Sequence, residues 1–365
     1  MIEQLIAQHR VLIVGGSGGV GKTSLSAALG LAAARAGHRT LVLTIDPARR
    51  LAAALGLDGI GPDPEDLGPR LRAAGVVIDG ELHAMMLDVK NTLDRAVERY
   101  ASSPERQQEI LANRLYRNIS TRLSGSQEYA AMQRLTELVE DNHYERIILD
   151  TPPSTQALDF LTAPERLQAF FDSSLTRVFI SFGGKAGRSF FKVTDVLFRT
   201  LEKLTGANVI RDIAEFFQVA ESILEPFGRQ AGQAQALLRR PETSFIVVTG
   251  PHGYQLDDAL NFQQRLESMR IRVGGILVNR CLSVHLGQRP PAIPDQAHET
   301  LPLRVAYWAS ALERLAQDQQ LMVIRAGEQS GLPLLCLPEI DKELATIDSL
   351  LSLESLLFRR AAPIG

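Results

Sequence analysis

The segment VGGSGGVGKTS, residues 14–24, decides the fold of this chain. It follows the pattern G-x-x-x-x-G-K-[ST], in which Gly16, Gly21, Lys22 and Thr23 fill the defining positions. Glycine lets successive backbone N–H groups point at a single anion without a side chain in the way. The segment therefore predicts a phosphate-binding loop that joins a strand to a helix.

The residues on either side of this loop have the pattern of a β-α-β unit. The apolar run RVLIVGG precedes the loop, KTSLSAALGLAAARAG carries Ala and Leu at helical spacing, and RTLVLTID follows. Short, continuous apolar runs are typical of strands buried on both faces, and this order favours a parallel sheet. Further strands are predicted at ELHAMMLD, ERIILD, TSFIVVTG, VGGILVN and LPLLCLP. We expect an α/β fold, the three-layer P-loop NTPase fold with a mostly parallel central sheet.

Two long stretches between the strands read as helical, at about 90–142 and 156–240. Both leave and re-enter the sheet at the same edge, so we expect one inserted helical subdomain within a single P-loop domain over 1–365. The Pro- and Gly-rich stretch between Leu57 and Asp79 predicts a surface loop, as does the stretch at 285–297.

Polar residues end several of the predicted strands, namely Asp46, Asp88, Asp150 and Asn279. Carboxyl ends of parallel strands meet at one edge of a sheet, where ligands bind, so these residues are expected to share that edge. Lys22 is expected to neutralise β- and γ-phosphate oxygens of a nucleoside triphosphate, and the Thr23 hydroxyl to lie on Mg²⁺. The predicted phosphate-binding residues are Gly18, Gly19, Val20, Gly21, Lys22, Thr23 and Ser24.

The composition narrows the classes of function. The net charge is −3, and no basic block occurs, so nucleic acid is not an expected partner. Two cysteines fit a reducing compartment and exclude a disulfide framework. Since no apolar run reaches about 18 residues, stable membrane insertion is not expected. These features favour a cytoplasmic enzyme.

Two segments, GGVGKTSLSAALGLAAARAGHRTLVLTIDPARRLAAALGL and DTPPSTQALDFL, resemble the ArsA family of ATPases. That family includes the arsenite-pump ATPase and the tail-anchored-protein targeting ATPases of the guided-entry pathway, within the MinD/ParA-like, deviant-Walker class. The likeness runs nearly end to end, and its middle is most similar to a bacterial branch. It implies an ATPase that uses ATP and Mg²⁺ and works as a dimer.

The resemblance also implies roles for individual residues. DPARR matches switch I, with Asp46 orienting the attacking water, and DTPPS matches switch II, with Asp150 as the acid that holds Mg²⁺ or its water. Asn279 matches the residue that recognises adenine, and Pro338 the loop that closes over the base. The predicted catalytic residues are Asp46 and Lys22, and the predicted metal ligands are Thr23, Asp150 and Asp46. The residues alone leave two other readings open, Asp46 as a helix cap and Asn279 as an ordinary strand-end turn residue.

Ser17 departs from the family pattern, because related ATPases carry a lysine there that reaches the phosphates of the partner subunit. A serine hydroxyl has neither the charge nor the length to do so, and we expect slow hydrolysis by a homodimer. Either a heterodimer with a paralogue that keeps the lysine, or Arg49 or Arg50 of switch I, is expected to supply the missing charge.

The cysteines and phenylalanines indicate what the protein could bind besides a nucleotide. Cys281 and Cys336 are expected in the core, which makes a thiolate site for a metalloid improbable. Phenylalanine is concentrated between residues 160 and 227, in a pattern that fits either a groove for a hydrophobic segment or helix packing. The eleven residues are Phe160, Phe170, Phe171, Phe179, Phe182, Phe190, Phe191, Phe198, Phe216, Phe217 and Phe227.

Three functions from different classes follow. The first is an ArsA-type nucleotide switch whose ATP cycle rearranges a Phe-rich helical subdomain that binds a hydrophobic protein segment. The second is a P-loop kinase or ligase for a small molecule, which needs a polar substrate pocket. The third is a spatial organiser of the ParA or MinD type, which needs a surface for DNA or membrane.

Overall fold

The computed structural model describes residues 1–46, 50–55, 57, 59–122, 126–153, 161–162, 169, 207–282, 301–340 and 346–358. Contacts divide the chain into two compact units. The first comprises Met1–Met86, Tyr144–Ala157 and Arg239–Gly365, and the second comprises Leu87–His143 and Leu158–Leu238.

The described part of the first unit holds an eight-stranded sheet in the order β3-β4-β2-β5-β1-β6-β7-β8. Every neighbouring pair is parallel except β3 and β4. All strands predicted from the sequence are present, and the expected α/β fold with a mostly parallel sheet is confirmed. The strands are β1 (Val11–Gly16), β2 (Arg39–Thr44), β3 (Glu65–Asp66), β4 (Glu81–Met86), β5 (Arg146–Asp150), β6 (Thr243–Thr249), β7 (Val273–Cys281) and β8 (Leu334–Pro338).

The helices fall in both units. Those of the first unit are α1 (Ile2–Gln8), α2 (Lys22–Arg35), α3 (Arg50–Ala54), α4 (Gly68–Ala73), α10 (Gly253–Ser268), α11 (Leu301–Ser330) and α12 (Ile347–Phe358). Those of the second are α5 (Val89–Tyr100), α6 (Pro104–Ala112), α7 (Arg114–Arg122), α8 (Ser126–Glu140) and α9 (Ala207–Leu238).

Helices cover both faces of the sheet near its centre. Leu12 and Val14 of β1 belong to one buried apolar cluster with Leu25 of α2. A Cβ atom on Gly15 would instead lie 2.8 Å from the ring of Phe262 in α10. Successive strand residues point to opposite faces, so α2 and α10 pack on opposite sides of β1. This is the three-layer arrangement, and burial on both faces explains why the strand is a continuous apolar run.

The region between Leu57 and Asp79 is not only a surface loop, as the sequence had predicted. It contains the short strand β3, paired antiparallel with β4, and the helix α4. Leu71 of α4 is buried in the apolar cluster on the α2 side of the sheet. One or two apolar residues per turn are enough to anchor so short a helix. The prolines and glycines around them favour a loop, so the sequence pattern does not predict the helix. The second predicted loop, at 285–297, lies outside the described residues.

The described helices of the second unit fall within the two stretches predicted to be helical, and their role as one inserted subdomain stays a prediction. Phe227 of α9 stacks on Tyr129 of α8 with ring centroids 5.7 Å apart. Phe216, Phe217 and Phe227 are all buried, so these three phenylalanines are packing residues of their own unit. The other eight members of the cluster, Phe160, Phe170, Phe171, Phe179, Phe182, Phe190, Phe191 and Phe198, lie outside the described residues.

Among the helices that the structure describes, none combines the length and apolar character that crossing a membrane requires.

Candidate nucleotide-binding site

The loop between β1 and α2 depends on glycine at three positions. Gly19 and Gly21 have φ values of 75° and 93°, in the left-handed region that side chains disfavour. Gly16 has φ 148°, and a Cβ atom there would lie 1.9 Å from the carbonyl oxygen of Val248 in the neighbouring strand β6. The backbone conformation and the close approach together explain the glycines of the motif.

Lys22 is the first residue of α2, and its side chain turns back into the loop. Its ammonium group donates to the carbonyl oxygens of Gly16, at 3.0 Å, and Ser17, at 2.8 Å. The residue is only 7% exposed. A fixed cation is therefore held inside the loop at a helix N-terminus, the place where backbone N–H groups and the helix dipole favour an anion.

Asp150 ends β5 and is the most deeply buried carboxylate of the site, with 1% exposure. Its Oδ2 accepts hydrogen bonds from the hydroxyls of Thr23, at 2.8 Å, and Thr44, at 3.0 Å. Burial raises the pKa of Asp150 to about 6, against the opposing effect of these two hydroxyls. Its other oxygen, Oδ1, has no hydrogen-bond partner among the described residues. A buried, unpaired carboxylate oxygen next to a threonine hydroxyl fits a divalent cation.

The donor set favours magnesium bound together with a nucleotide. The described residues contain no group of three or more His, Cys, Asp or Glu side chains that could hold a metal by themselves. Mg²⁺ usually takes one or two protein ligands and completes its shell with water and phosphate oxygens. Thr23 and Asp150 match that need as its ligands, and Asp46 lies close enough for its charge to be among the causes that raise the pKa of Asp150, after burial.

Asp46 follows β2 directly and is half-buried. Its backbone N–H donates to the hydroxyl oxygen of Thr44 at 3.2 Å, and Thr44 in turn donates to Asp150. A continuous row of hydrogen bonds thus joins the backbone of Asp46 to the carboxylate of Asp150 at the end of β5. Residues 47–49, including Arg49, lie outside the described residues, and Arg50 begins α3.

Asn279 reaches the phosphate-binding loop from the end of β7. Its side-chain Nδ2 donates to the carbonyl oxygen of Val20 at 2.8 Å, and Asn279 is buried. A Cβ atom on Gly21 would lie 2.5 Å from the same Nδ2. With Nδ2 bound to the loop, Oδ1 is left as an acceptor, which is the group that pairs with an exocyclic amino group such as that of adenine.

A cavity of about 330 Å³ opens beside the loop and Asn279. Pro338 ends β8 opposite Cys281, and the backbone N–H of Glu339 donates to the carbonyl oxygen of Cys281 at 3.0 Å. The cavity is lined by Gly19, Val20, Gly250, Pro251, His252, Gln255, Asn279, Arg280, Leu282, Leu315, Gln319 and Glu339. Its position and its mix of apolar and polar groups fit a nucleoside.

The remaining loop residues lie at the mouth of the site. Ser17 donates a long hydrogen bond of 3.4 Å to Oδ2 of Asp258 in α10. Gly18 is exposed, and a Cβ atom there would lie 3.8 Å from Pro153, which follows β5. Ser24 is half-buried in the first turn of α2. Asp88 belongs to the second unit, where it caps α5 by accepting from the backbone N–H of Asn91 at 2.9 Å, and its expected place at this edge stays a prediction.

Sequence reasoning missed two kinds of site residue. Thr44 stands two positions before Asp46, and residues two apart in a strand point to the same face. This spacing could have identified Thr44 as a site residue from the sequence. Gln319 of α11 accepts from the backbone N–H of Leu282 at 3.1 Å and lines the cavity, although nothing in the local sequence marks it. Helical residues of this kind are identified only when the fold brings α11 beside β7.

The prediction that Cys281 and Cys336 lie in the core is wrong. Both are half-buried, Cys281 as the last residue of β7 and Cys336 in the middle of the adjacent strand β8. A hydrogen bond between their thiols is the main reason why the pKa of Cys281 lies above its usual range and that of Cys336 below it. Among the described strands, β8 is the edge strand of the sheet and has a neighbour on one side only, which fits the incomplete burial of Cys336.

The family model for the anion-transporting ATPases, the ArsA family, matches residues 9–289. The chain belongs to this family. The resemblance inferred from the phosphate-binding loop and the two switch segments is confirmed, and the enzyme class expected from the sequence, an ATPase, is the class of this family. The matched range contains every predicted site residue except Pro338.

Individual relatives agree with the family. ATPase ARSA1 of Chlamydomonas reinhardtii is 28% identical in an alignment 350 residues long, which covers 89% of this chain and 41% of that protein. ATPase GET3 of Kluyveromyces lactis is 27% identical in an alignment 342 residues long, which covers 89% of this chain and 86% of that protein. Protein Rv2184c of Mycobacterium tuberculosis is 31% identical in an alignment 195 residues long, which covers 50% of this chain and 44% of that protein. The chain thus spans about two fifths of ATPase ARSA1 and most of ATPase GET3.

Proposed function

We propose that this chain binds ATP with Mg²⁺ at the carboxyl edge of its sheet and hydrolyses the γ-phosphate bond as the motor of a molecular switch. The observation that carries the proposal is the hydrogen-bonded row from Thr23 through Asp150 and Thr44 to Asp46. It connects the phosphate-binding loop, the predicted metal ligand and the predicted water-orienting acid. A change at the phosphates would therefore alter the hydrogen bonds of both predicted switch segments.

The predicted site residues have separate tasks in this proposal. Lys22 places its charge on the β- and γ-phosphate oxygens, and Thr23 with Asp150 holds Mg²⁺, which supplies positive charge to the transferred phosphoryl group. Asp46 orients the attacking water and accepts its proton, since its half-buried carboxylate directly follows β2 at the sheet edge that also carries the phosphate-binding loop. Asn279 positions the base by accepting from its amino group.

The finer proposal concerns what the ATP cycle moves. By analogy with the family, two copies of this chain, or this chain and a paralogue, close around ATP, and hydrolysis reopens them. The movement is transmitted to the helical second unit, whose Phe-rich stretch binds an apolar protein segment. The concentration of phenylalanine between residues 160 and 227 supports this idea. The three buried members, Phe216, Phe217 and Phe227, do not contribute to it.

The test of ATP hydrolysis is phosphate release by purified protein with and without Mg²⁺. Lys22→Ala is expected to abolish turnover and weaken nucleotide binding. Asp46→Asn is expected to bind Mg·ATP normally and to turn over about 100-fold more slowly or worse, the usual weight of a positioned base. Asp79→Asn makes the same chemical change at an exposed position and should behave as wild type. Normal turnover by Asp46→Asn would remove this residue from the mechanism.

The client is tested separately with a fluorescent, apolar helical peptide. Phe190→Ser with Phe191→Ser is expected to weaken peptide binding while basal hydrolysis and thermal stability remain. Phe216→Ser with Phe217→Ser alters two buried residues and should instead lower stability by several kcal/mol, at about 3–5 kcal/mol for each large aromatic removed from a core. If the first pair also unfolds the protein, Phe190 and Phe191 are packing residues and the groove idea fails.

A small-molecule kinase or ligase is the competing activity. Such an enzyme would transfer phosphate to an acceptor other than water and would release little free phosphate without it. Stoichiometric ADP and phosphate formation from ATP alone favours the switch, whereas ATP consumption that begins only on addition of a small-molecule acceptor contradicts it.

A further inference from the structure

Arg280 adopts a backbone conformation that arginine disfavours. Its φ of 62° lies in the left-handed region, which a residue with a Cβ atom disfavours. Among the described non-glycine residues, Asn142 and Arg270 also have positive φ, at 51° and 59°. Asn142 and Arg270 both follow a helix, where this conformation is common, whereas Arg280 lies inside a strand.

Hydrogen bonds on both sides of Arg280 hold it in this conformation. Asn279 is tied to the phosphate-binding loop through the carbonyl oxygen of Val20. Leu282 is tied to α11 through the side chain of Gln319. The pairing of β7 with β8 slips in register over the same residues. Backbone strain persists where the surroundings impose it in this way, and it is concentrated at functional sites.

The consequence of the turn is that Arg280 lines the 330 Å³ cavity beside the phosphate-binding loop. The side chain makes no hydrogen bond or ion pair with the residues that the structure describes, although Glu339 lines the same cavity. Leu282 and Leu315 supply apolar surface there. A planar guanidinium group beside such apolar side chains is suited to stack on a flat aromatic ring, while Lys22 already serves the phosphates.

We propose that Arg280 stacks its guanidinium group on the base of the bound nucleotide, and so acts as a base-binding residue. This inference rests on the proposed binding of ATP. It assigns the edge of the base to Asn279 and its face to Arg280, two adjacent residues that the left-handed turn points into one cavity. The backbone strain at Arg280 is the cost of that placement.

The test is calorimetric titration of wild type, Arg280→Asn and Arg280→Lys with ATP, AMP and inorganic tripolyphosphate. Asparagine tolerates the left-handed conformation, so Arg280→Asn removes the guanidinium without added strain. Stacking predicts that both variants bind ATP and AMP between about threefold and thirtyfold more weakly, the range of one cation–π contact, while tripolyphosphate binding is unchanged. Arg270→Asn is the matched control, because it relieves the same strain at a position outside the cavity.

Three results would overturn the inference. One is unchanged ATP affinity in Arg280→Asn. Another is wild-type affinity in Arg280→Lys together with a loss of affinity in Arg280→Asn that is larger for tripolyphosphate than for AMP. This result would make Arg280 a phosphate contact. The last is equal weakening by Arg270→Asn, which would make the effect one of stability. Failure of wild type to bind ATP would contradict the proposed function itself and is thereby distinguished from these results.

Discussion

Thr44 donates its hydroxyl hydrogen to Oδ2 of Asp150 across 3.0 Å, where β2 and β5 end side by side. The Thr44 oxygen also accepts from the backbone N–H of Asp46, and the Asp150 oxygen also accepts from Thr23. One buried hydroxyl therefore contacts both the backbone of Asp46, the predicted water-orienting residue, and the predicted metal ligand Asp150. Networks of this kind are sensitive to the loss of a single member, because the local dielectric constant is low.

Thr44→Val keeps the shape of the side chain and removes its hydroxyl. The backbone N–H of Asp46 loses its acceptor and Asp150 loses a donor, so we expect a loss of about 1–3 kcal/mol in the free energy of unfolding. Turnover should fall more than nucleotide affinity, since Asp46 is no longer held in place while the phosphate-binding loop is untouched. Thermal unfolding and steady-state phosphate release with varied ATP measure the two effects.

Thr40→Val is the control for this change. Thr40 lies on the same strand and is also buried, but its hydroxyl donates only to the nearby carbonyl oxygen of His38, at 3.2 Å. We expect no change in turnover from Thr40→Val. Equal turnover by both valine variants would mean that the row of hydrogen bonds is structural only.

Asp150 contributes less to the stability of the protein without bound metal at neutral pH than in mild acid. Burial raises its pKa from 3.8 to about 6, so in this window Asp150 binds more protons in the folded state than in the unfolded state. Its contribution to the free energy of unfolding therefore falls as the pH rises from about 4 through 6. At about 1.4 kcal/mol per pKa unit, the burial of the charged form costs roughly 3 kcal/mol at pH 7.

Asp150→Asn removes that cost. The amide oxygen still accepts from the two threonine hydroxyls, so the variant should be more stable than wild type at pH 7 and similar near pH 4. It should also lose hydrolysis, because an amide is a poor ligand for Mg²⁺. Thermal unfolding across pH 4–8 measures the first effect, with Asp79→Asn as the exposed control. A stability difference that is the same at every pH would contradict the assigned role of the charge.

The parts of the fold that could be predicted from sequence are those in which local pattern and final environment agree. A strand buried on both faces, such as β1, is apolar throughout. The loop after it requires glycine for its backbone conformation, and the spacing of these glycines is visible in the sequence. Asp150 and Asn279 were found because parallel strands bring their carboxyl ends together whatever the rest of the chain does.

What could not be predicted depends on residues that meet only in the folded state. The burial of α4 comes from its contact with the α2 face, not from its own composition. Gln319 reaches the cavity only because α11 packs beside β7, and Arg280 lines it only because the neighbours of Arg280 are fixed to two other elements. The sequence around Gln319 and Arg280 has no pattern that predicts either contact with the cavity.

Gly21→Ala should disrupt the contact between the phosphate-binding loop and Asn279. The new methyl group would lie 2.5 Å from Nδ2 of Asn279, in a residue whose φ of 93° already disfavours a side chain. We expect a nucleotide affinity reduced by at least about tenfold, together with a loss of stability. Calorimetric titration with ATP and thermal unfolding are the measurements.

Gly37→Ala separates the effect of backbone strain from the effect of the steric contact with Asn279. Gly37 has nearly the same φ, 89°, but a Cβ atom there meets nothing within 4 Å. It should cost about 1–2 kcal/mol of backbone strain and leave nucleotide affinity unchanged. If Gly37→Ala and Gly21→Ala were equally damaging to binding, the contact with Asn279 would have no part in it.

Ser17→Lys tests whether a missing charge limits the rate. In the proposed dimer, a cation at position 17 acts on the phosphates of the partner subunit, and charges supplied in this way are worth roughly 10³ to 10⁵ in rate. The structure adds a complication, because Ser17 already bonds to Asp258. A lysine at this position will pair with that carboxylate in its own subunit, and we expect only part of the gain.

Asp258→Asn in the Ser17→Lys background removes the competing partner and should release the remainder of the gain. Asp258→Asn alone, with Ser17 intact, should leave turnover close to wild type, because it supplies no cation. Phosphate release as a function of protein concentration is the measurement, since a charge that acts across a dimer is effective only when the dimer forms. Rapid hydrolysis by wild type, unchanged in Ser17→Lys and in Arg49→Ala with Arg50→Ala, would show that no cation is missing and that the site is complete within one subunit.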